Sequence, residues 1–134
     1  MAANRNDDLF EMVDLEAGQT GGSGTITIMS HHALREAHVR WYEGPPGDGQ
    51  GFEAVSIEAE PRVLTFEGLT ESAIQSVIGD LSAWVQLNRE KLHRFWNEAA
   101  FWYDREVERF VFSLSKLPRQ PKARTELPLS ENPY

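Results

Sequence analysis

The stretch W-V-Q-L-N-R-E-K-L-H-R-F-W, Trp84 to Trp96, decides the fold. Trp84, Asn88, Leu92 and Trp96 recur every four residues and so stack along one side of a helix. At about 100° per residue, Ile74, Val77, Ile78, Leu81, Val85, Phe95, Ala99, Trp102 and Tyr103 join them in one stripe about 120° wide. A stripe of that size must be covered, because burying each large side chain contributes roughly 1.5–3 kcal/mol. The tryptophans therefore read as core rather than as ligand-stacking residues. Asn88 lies inside the stripe and needs hydrogen-bond partners there, which suits an amide that fixes register or holds a loop. Thr70-Glu71-Ser72-Ala73 supplies a cap and an acid for the first turn, so the helix is expected to begin there. Phe101 points the other way, beside Glu90, Arg94 and Asn97, and an outward Phe marks a candidate partner surface.

Upstream of Gly68 the period is two. T-I-T-I-M-S (Thr25–Ser30), A-H-V-R-W-Y-E (Ala37–Glu43), G-F-E-A-V-S-I-E-A (Gly51–Ala59) and V-L-T-F-E (Val63–Glu67) each carry β-branched or aromatic residues near alternation. The Pro- and Gly-rich run Gly44–Gly51 cannot continue a ladder but closes a long hairpin. The economical result is an antiparallel meander in which Val39 and Trp41 face the core while His38, Arg40 and Tyr42 face away. The fold class is thus α+β: a small antiparallel β-meander packed on one long α-helix, with N- and C-terminal extensions. The expected organisation is an acidic arm and Gly-rich connection over residues 1–24, a single domain over 25–117, and a Pro-rich tail over 118–134.

The arm mixes Asp7, Asp8, Glu11 and Asp14 with Leu9, Phe10, Met12, Val13 and Leu15. It reads as a short helix or an edge strand, packing on this chain's own sheet or offered to a partner. Glu16–Gly24 carries no periodicity and is expected to be a flexible connection. At the other end, Asp104–Leu117 supports two readings: Val107, Phe110, Val111 and Leu114 fit a helix, whereas Phe110, Phe112 and Leu114 alternate as a strand would. Helix is preferred. Pro118 and Pro121 then end regular structure, leaving a locally basic tail with Lys122 and Arg124.

Composition bounds what this domain can do. The 134 residues contain no cysteine, which removes disulfides, thiolate metal sites and thiol nucleophiles. No apolar run approaches the roughly 20 residues of a membrane span, and the N-terminus lacks a secretory core, so a cytoplasmic protein with no membrane partner is expected. The net charge of −8 sits in the first half: residues 1–60 hold eleven acidic residues against three Arg. Such a surface repels phosphate, weighs against direct nucleic-acid binding and favours a basic or nucleic-acid-binding protein partner. It also serves simply to solubilise the domain. No Ser-His-Asp arrangement, phosphate-binding loop or telling carboxylate pair stands out.

The meander, the His-rich strand entry H-H-A-L-R-E-A-H-V and the W-x3-N-x3-L-x3-W helix together resemble a small bacterial family of unknown function. That family's strand motif reads D-H-x-P-P-H-F-H-V. His32 and His38 match its first and last histidines, Glu36 replaces the middle one, and both prolines are missing. The resemblance runs from about Thr25 to Trp96. Members often resemble components of toxin–antitoxin-like or mobile-element gene pairs, which implies a protein partner in a bacterial or phage setting.

Three functional readings follow. The preferred one is a non-catalytic interaction or regulatory protein, antitoxin-like or inhibitor-like, needing no cofactor and binding through Asp7, Asp8, Phe10, Glu11, Asp14 and Phe101; self-association stays open. The second is an acidic mimic that blocks a nucleic-acid-binding protein. The third is a metal-dependent hydrolase in which His32, Glu36 and His38 hold a divalent ion and activate water, although their spacing is not that of a helical H-E-x-x-H site.

Overall fold

A computed structural model describes residues 11–30, 36–47 and 51–118. Five antiparallel strands form one sheet in sequence order: β1 (Met12–Leu15), β2 (Thr25–Met29), β3 (His38–Tyr42), β4 (Phe52–Ser56) and β5 (Val63–Glu67). A short helix, α1 (Ala17–Thr20), lies between β1 and β2. Three helices follow the sheet: α2 (Glu71–Leu87), α3 (Arg89–Glu98) and, after a 3-10 turn at Ala99–Phe101, α4 (Asp104–Ser113). The α+β class and the antiparallel meander read from the sequence are what the chain adopts.

One face of the sheet is apolar and carries the helices. Leu15, Ile26, Ile28, Val39, Trp41, Val55 and Ile57 meet Leu81, Trp84, Val85, Leu92, Phe95, Ala99, Val107 and Phe110 in a single core. The Trp41 indole N–H reaches the Ser23 carbonyl at 2.7 Å, which lets its polar edge be buried. The other face mixes polar and apolar side chains, with Thr27, Met29, His38, Ala54 and Ser56 buried there. Thr27 Oγ1 donates to Asp14 Oδ1 at 2.7 Å, and the Arg40 guanidinium sits 5.0 Å from the Phe52 ring centroid.

Of the alternatives for the acidic arm, Met12–Leu15 takes the edge strand, with Met12 opposite Met29 and Leu15 opposite Ile26. The connection that follows is more ordered than its glycines suggested. Glu16 and Gln19 form a capping box, the Glu16 amide donating to Gln19 Oε1 at 2.8 Å, and this closes α1. Gly21 ends it with φ 84°. Gly24, at φ 67°, abuts β3 so closely that a Cβ would collide with the Tyr42 carbonyl and the Trp41 indole.

The helical run starts where the sequence placed it, with the Ala73 amide donating to Thr70 Oγ1 at 3.0 Å. It does not continue unbroken. At Asn88 the backbone leaves the helical region (φ −112°, ψ 15°), and α3 starts afresh at Arg89. The second reset, at Ala99–Phe101, carries Trp102 into extended backbone. Tyr103, placed in the buried stripe by counting 3.6 residues per turn, is consequently 80% exposed. Trp102 remains half-buried and joins Phe95 and Phe110 in a cluster with centroid separations of 5.1–5.8 Å, which ties α3 to α4.

Candidate functional site

Asn88 is 2% exposed, and its amide is fully used. Nδ2 donates to the Trp84 carbonyl at 3.1 Å and to the Ser115 carbonyl at 2.9 Å, while Oδ1 accepts from the Ser115 amide at 2.8 Å. Lys91 Nζ adds a contact to the Ser113 carbonyl, and the Leu117 amide donates to the Thr20 carbonyl at 2.7 Å. These bonds hold the end of α4 and the segment after it against the helix break on one side and α1 on the other.

Held this way, α4 lies beside the edge strand. Its N-terminal end is near the start of β1, where Asp104 raises the pKa of Glu11 in addition to the larger effect of burial. Its C-terminal end is near α1. A cleft of about 760 Å³ opens between them, lined by Val13 from β1, Gly18 and Gln19 from α1, and Val107, Glu108, Val111, Phe112, Leu114 and Lys116 from α4 and its extension. The walls are mainly apolar, with Gln19, Glu108 and Lys116 supplying polar groups, the usual composition of a recognition surface. Phe112 is 90% exposed. A side chain that large on the wall of an open apolar cleft has its burial free energy still to gain.

The sequence-nominated residues divide. Glu11 and Asp14 fall on or beside β1, but neither lines the cleft, and the Asp14 side chain lies on the sheet's other face with Thr27. Phe101 is 78% exposed on the 3-10 turn, as its outward phase required, but it does not line the cleft. Asp7, Asp8 and Phe10 lie outside the described residues. So does His32, of the three proposed metal ligands. Glu36 faces Arg62, with Oε2 3.0 Å from the guanidinium. His38 is buried, its Nδ1 2.7 Å from the Glu36 carbonyl and its ring 5.3 Å from that of Trp96. Among the described residues, no group of three or more His, Cys, Asp or Glu side chains is placed to hold a metal ion. No described helix is long and apolar enough to cross a membrane.

Glu53 is the residue that sequence reasoning passed over. It is 0% exposed, opposite Trp41 on the core face of β4, and neither carboxylate oxygen has a hydrogen-bond partner. Desolvation by burial pushes its pKa up to about 7. The signal was available in the strand's parity, since Glu53 shares a face with Val55 and Ile57. No protein family, curated protein or solved structure matches this chain.

Proposed function

We propose that this chain is a non-catalytic protein-interaction protein that engages its partner through the cleft between β1 and α4. The observation that carries the reading is Phe112, a large apolar side chain exposed on a wall shared with Val107, Val111, Leu114 and Val13. Buried aromatic anchors surrounded by modest apolar contacts supply most of the affinity of protein interfaces, and this wall has that composition. The family resemblance supplies the setting, an antitoxin-like or inhibitor-like role toward another protein in a bacterium or phage. The acidic first half favours a partner with a basic surface and speeds its approach.

The test is site-specific photocrosslinking in cells that encode the protein. A benzoylphenylalanine in place of Phe112 is expected to yield one adduct of defined mass, and the same group in place of the exposed Gln75 on α2 none. Equal labelling from both positions, or none from position 112, overturns the reading.

A further inference from the structure

β1 is an edge strand, and its hydrogen-bonding pattern says which main-chain groups remain unused. The Ser30 amide donates to the Glu11 carbonyl at 2.9 Å, and the Glu11 amide donates to Ser30 Oγ at 2.8 Å, so Glu11 faces β2. Main-chain direction alternates along an antiparallel ladder; hence Val13 and Leu15 also face β2, and the N–H and C=O groups of Met12 and Asp14 face outward. Both residues are exposed. Immediately beside this edge, which is unpaired among the described residues, lies the cleft walled by Val13, Val107, Val111 and Phe112. A four-residue strand spans roughly 13 Å and a ten-residue helix about 15 Å, so edge and wall match in length.

From this juxtaposition we infer that the cleft takes an extended segment of the partner protein, which adds to β1 as a sixth strand and carries a basic residue at the Glu11 end. The inference rests on the proposed interaction role and deepens it by naming the chemistry of the partner. Main-chain bonds to Met12 and Asp14 give such a segment its direction and register. Alternate side chains then drop between Val13 and the α4 wall, the division of labour seen wherever a strand is added between a sheet edge and a helix.

Charge selects the occupant. Burial and the nearby Asp104 both disfavour the ionised form of Glu11 at one end, and Asp14, Glu16 and Glu108 lie along the same edge or wall. A Lys or Arg on the incoming segment relieves that crowding. A second copy of this chain would instead bring Glu11, Asp14 and Glu16 of both molecules to one short ladder, where facing like charges destabilise pairing.

The experiment selects peptides from a random phage-displayed library on the immobilised full chain, then follows amide hydrogen exchange with the selected peptides at saturation. Expected are winners with apolar residues at every second position and Lys or Arg at one end, and exchange at Met12 and Asp14 slowed about tenfold or more. N-methylation of the peptide amides facing β1 should weaken binding about tenfold, and methylation of the intervening amides should not. Winners that need Phe112 but leave the Met12 and Asp14 amides unprotected overturn strand addition while leaving the cleft as an interface. Protection of those amides with rising protein concentration and no peptide assigns the edge to a second copy and also overturns it. A library that yields nothing dependent on Phe112 removes both readings.

Discussion

Asn88 and Ser115 exchange two hydrogen bonds across 27 positions of sequence, the Asn88 side chain acting as both donor and acceptor toward one peptide unit. The pairing mimics a rung of β-ladder between a side chain and a backbone. It fixes the exit of α4 and, through α4, the width of the cleft beside β1. Asn88 does not line the proposed interface, yet it holds the peptide between two residues that do, Leu114 and Lys116.

Asn88→Ala should lower stability by about 1–2 kcal/mol, because it removes a buried side-chain amide that donates to the Trp84 and Ser115 carbonyls and accepts from the Ser115 amide. Urea unfolding should show a lower midpoint with an unchanged slope. Hydrogen exchange should rise first in α4. A loss below about 0.5 kcal/mol would mean that water replaces the side chain without penalty.

Glu53 gives the protein a pH dependence of unusual sign for a carboxylate. Its folded-state pKa is raised from 4.5 to about 7, so the protonated form is the one the fold favours. That contribution is fully present below the unfolded pKa and is lost as pH rises toward 7. The loss amounts to roughly 3 kcal/mol over the window from 4.5 to about 7. Glu53→Gln should cancel this slope, so the difference in stability between variant and parent should grow in the variant's favour with pH across that window. Parallel stability curves from pH 4 to 8 would show that the carboxyl titrates normally.

Phe112→Ser should leave unfolding free energy within about 0.5 kcal/mol of the parent, since the ring buries almost nothing in the isolated chain. Binding of the partner identified by crosslinking should fall by about tenfold or more. A variant that unfolds readily but binds normally would reverse both assignments.

Gly24→Ala should cost more than about 1 kcal/mol, combining a left-handed backbone with the collision against Tyr42 and Trp41. Gly18→Ala is the matched control. Its Cβ meets nothing within 4 Å, and it lies in a helix, where Ala is the better residue. Thermal unfolding of the two variants should shift in opposite directions.

The parts of this fold that local periodicity encodes were legible. Alternation gave β2 to β5, and the four-residue spacing of Trp84, Asn88, Leu92 and Trp96 gave both the buried face and the buried amide within it. Periodicity fails where the chain resets its phase. Tyr103 was assigned to the core by counting through Asn88 and Ala99–Phe101, two points at which the helix stops and restarts. The short helix α1 was hidden because the glycines around it read as flexible, while the Glu16–Gln19 capping box is a pair interaction. The cleft was beyond reach for a different reason. Its walls, Val13 and Val107–Leu114, are remote in sequence, and nothing local to either says that α4 will lie along β1. Glu53 was legible from strand parity and was overlooked because an acidic residue in a strand is usually turned to solvent.

Each strand of the sheet pairs with the strand next to it in sequence, so the meander's contacts are short in chain distance. During synthesis on the ribosome, the strands emerge before α2, α3 and α4 have left the exit tunnel to cover them. For that interval Glu53 is in water and ionised, and the future core face of the sheet carries a charge that discourages other nascent chains from sticking to it. Docking of the helices strips away that water and shifts Glu53 toward its protonated form. The same carboxyl that weakens the mature fold as pH rises would thus serve as a gatekeeper for the unfinished one.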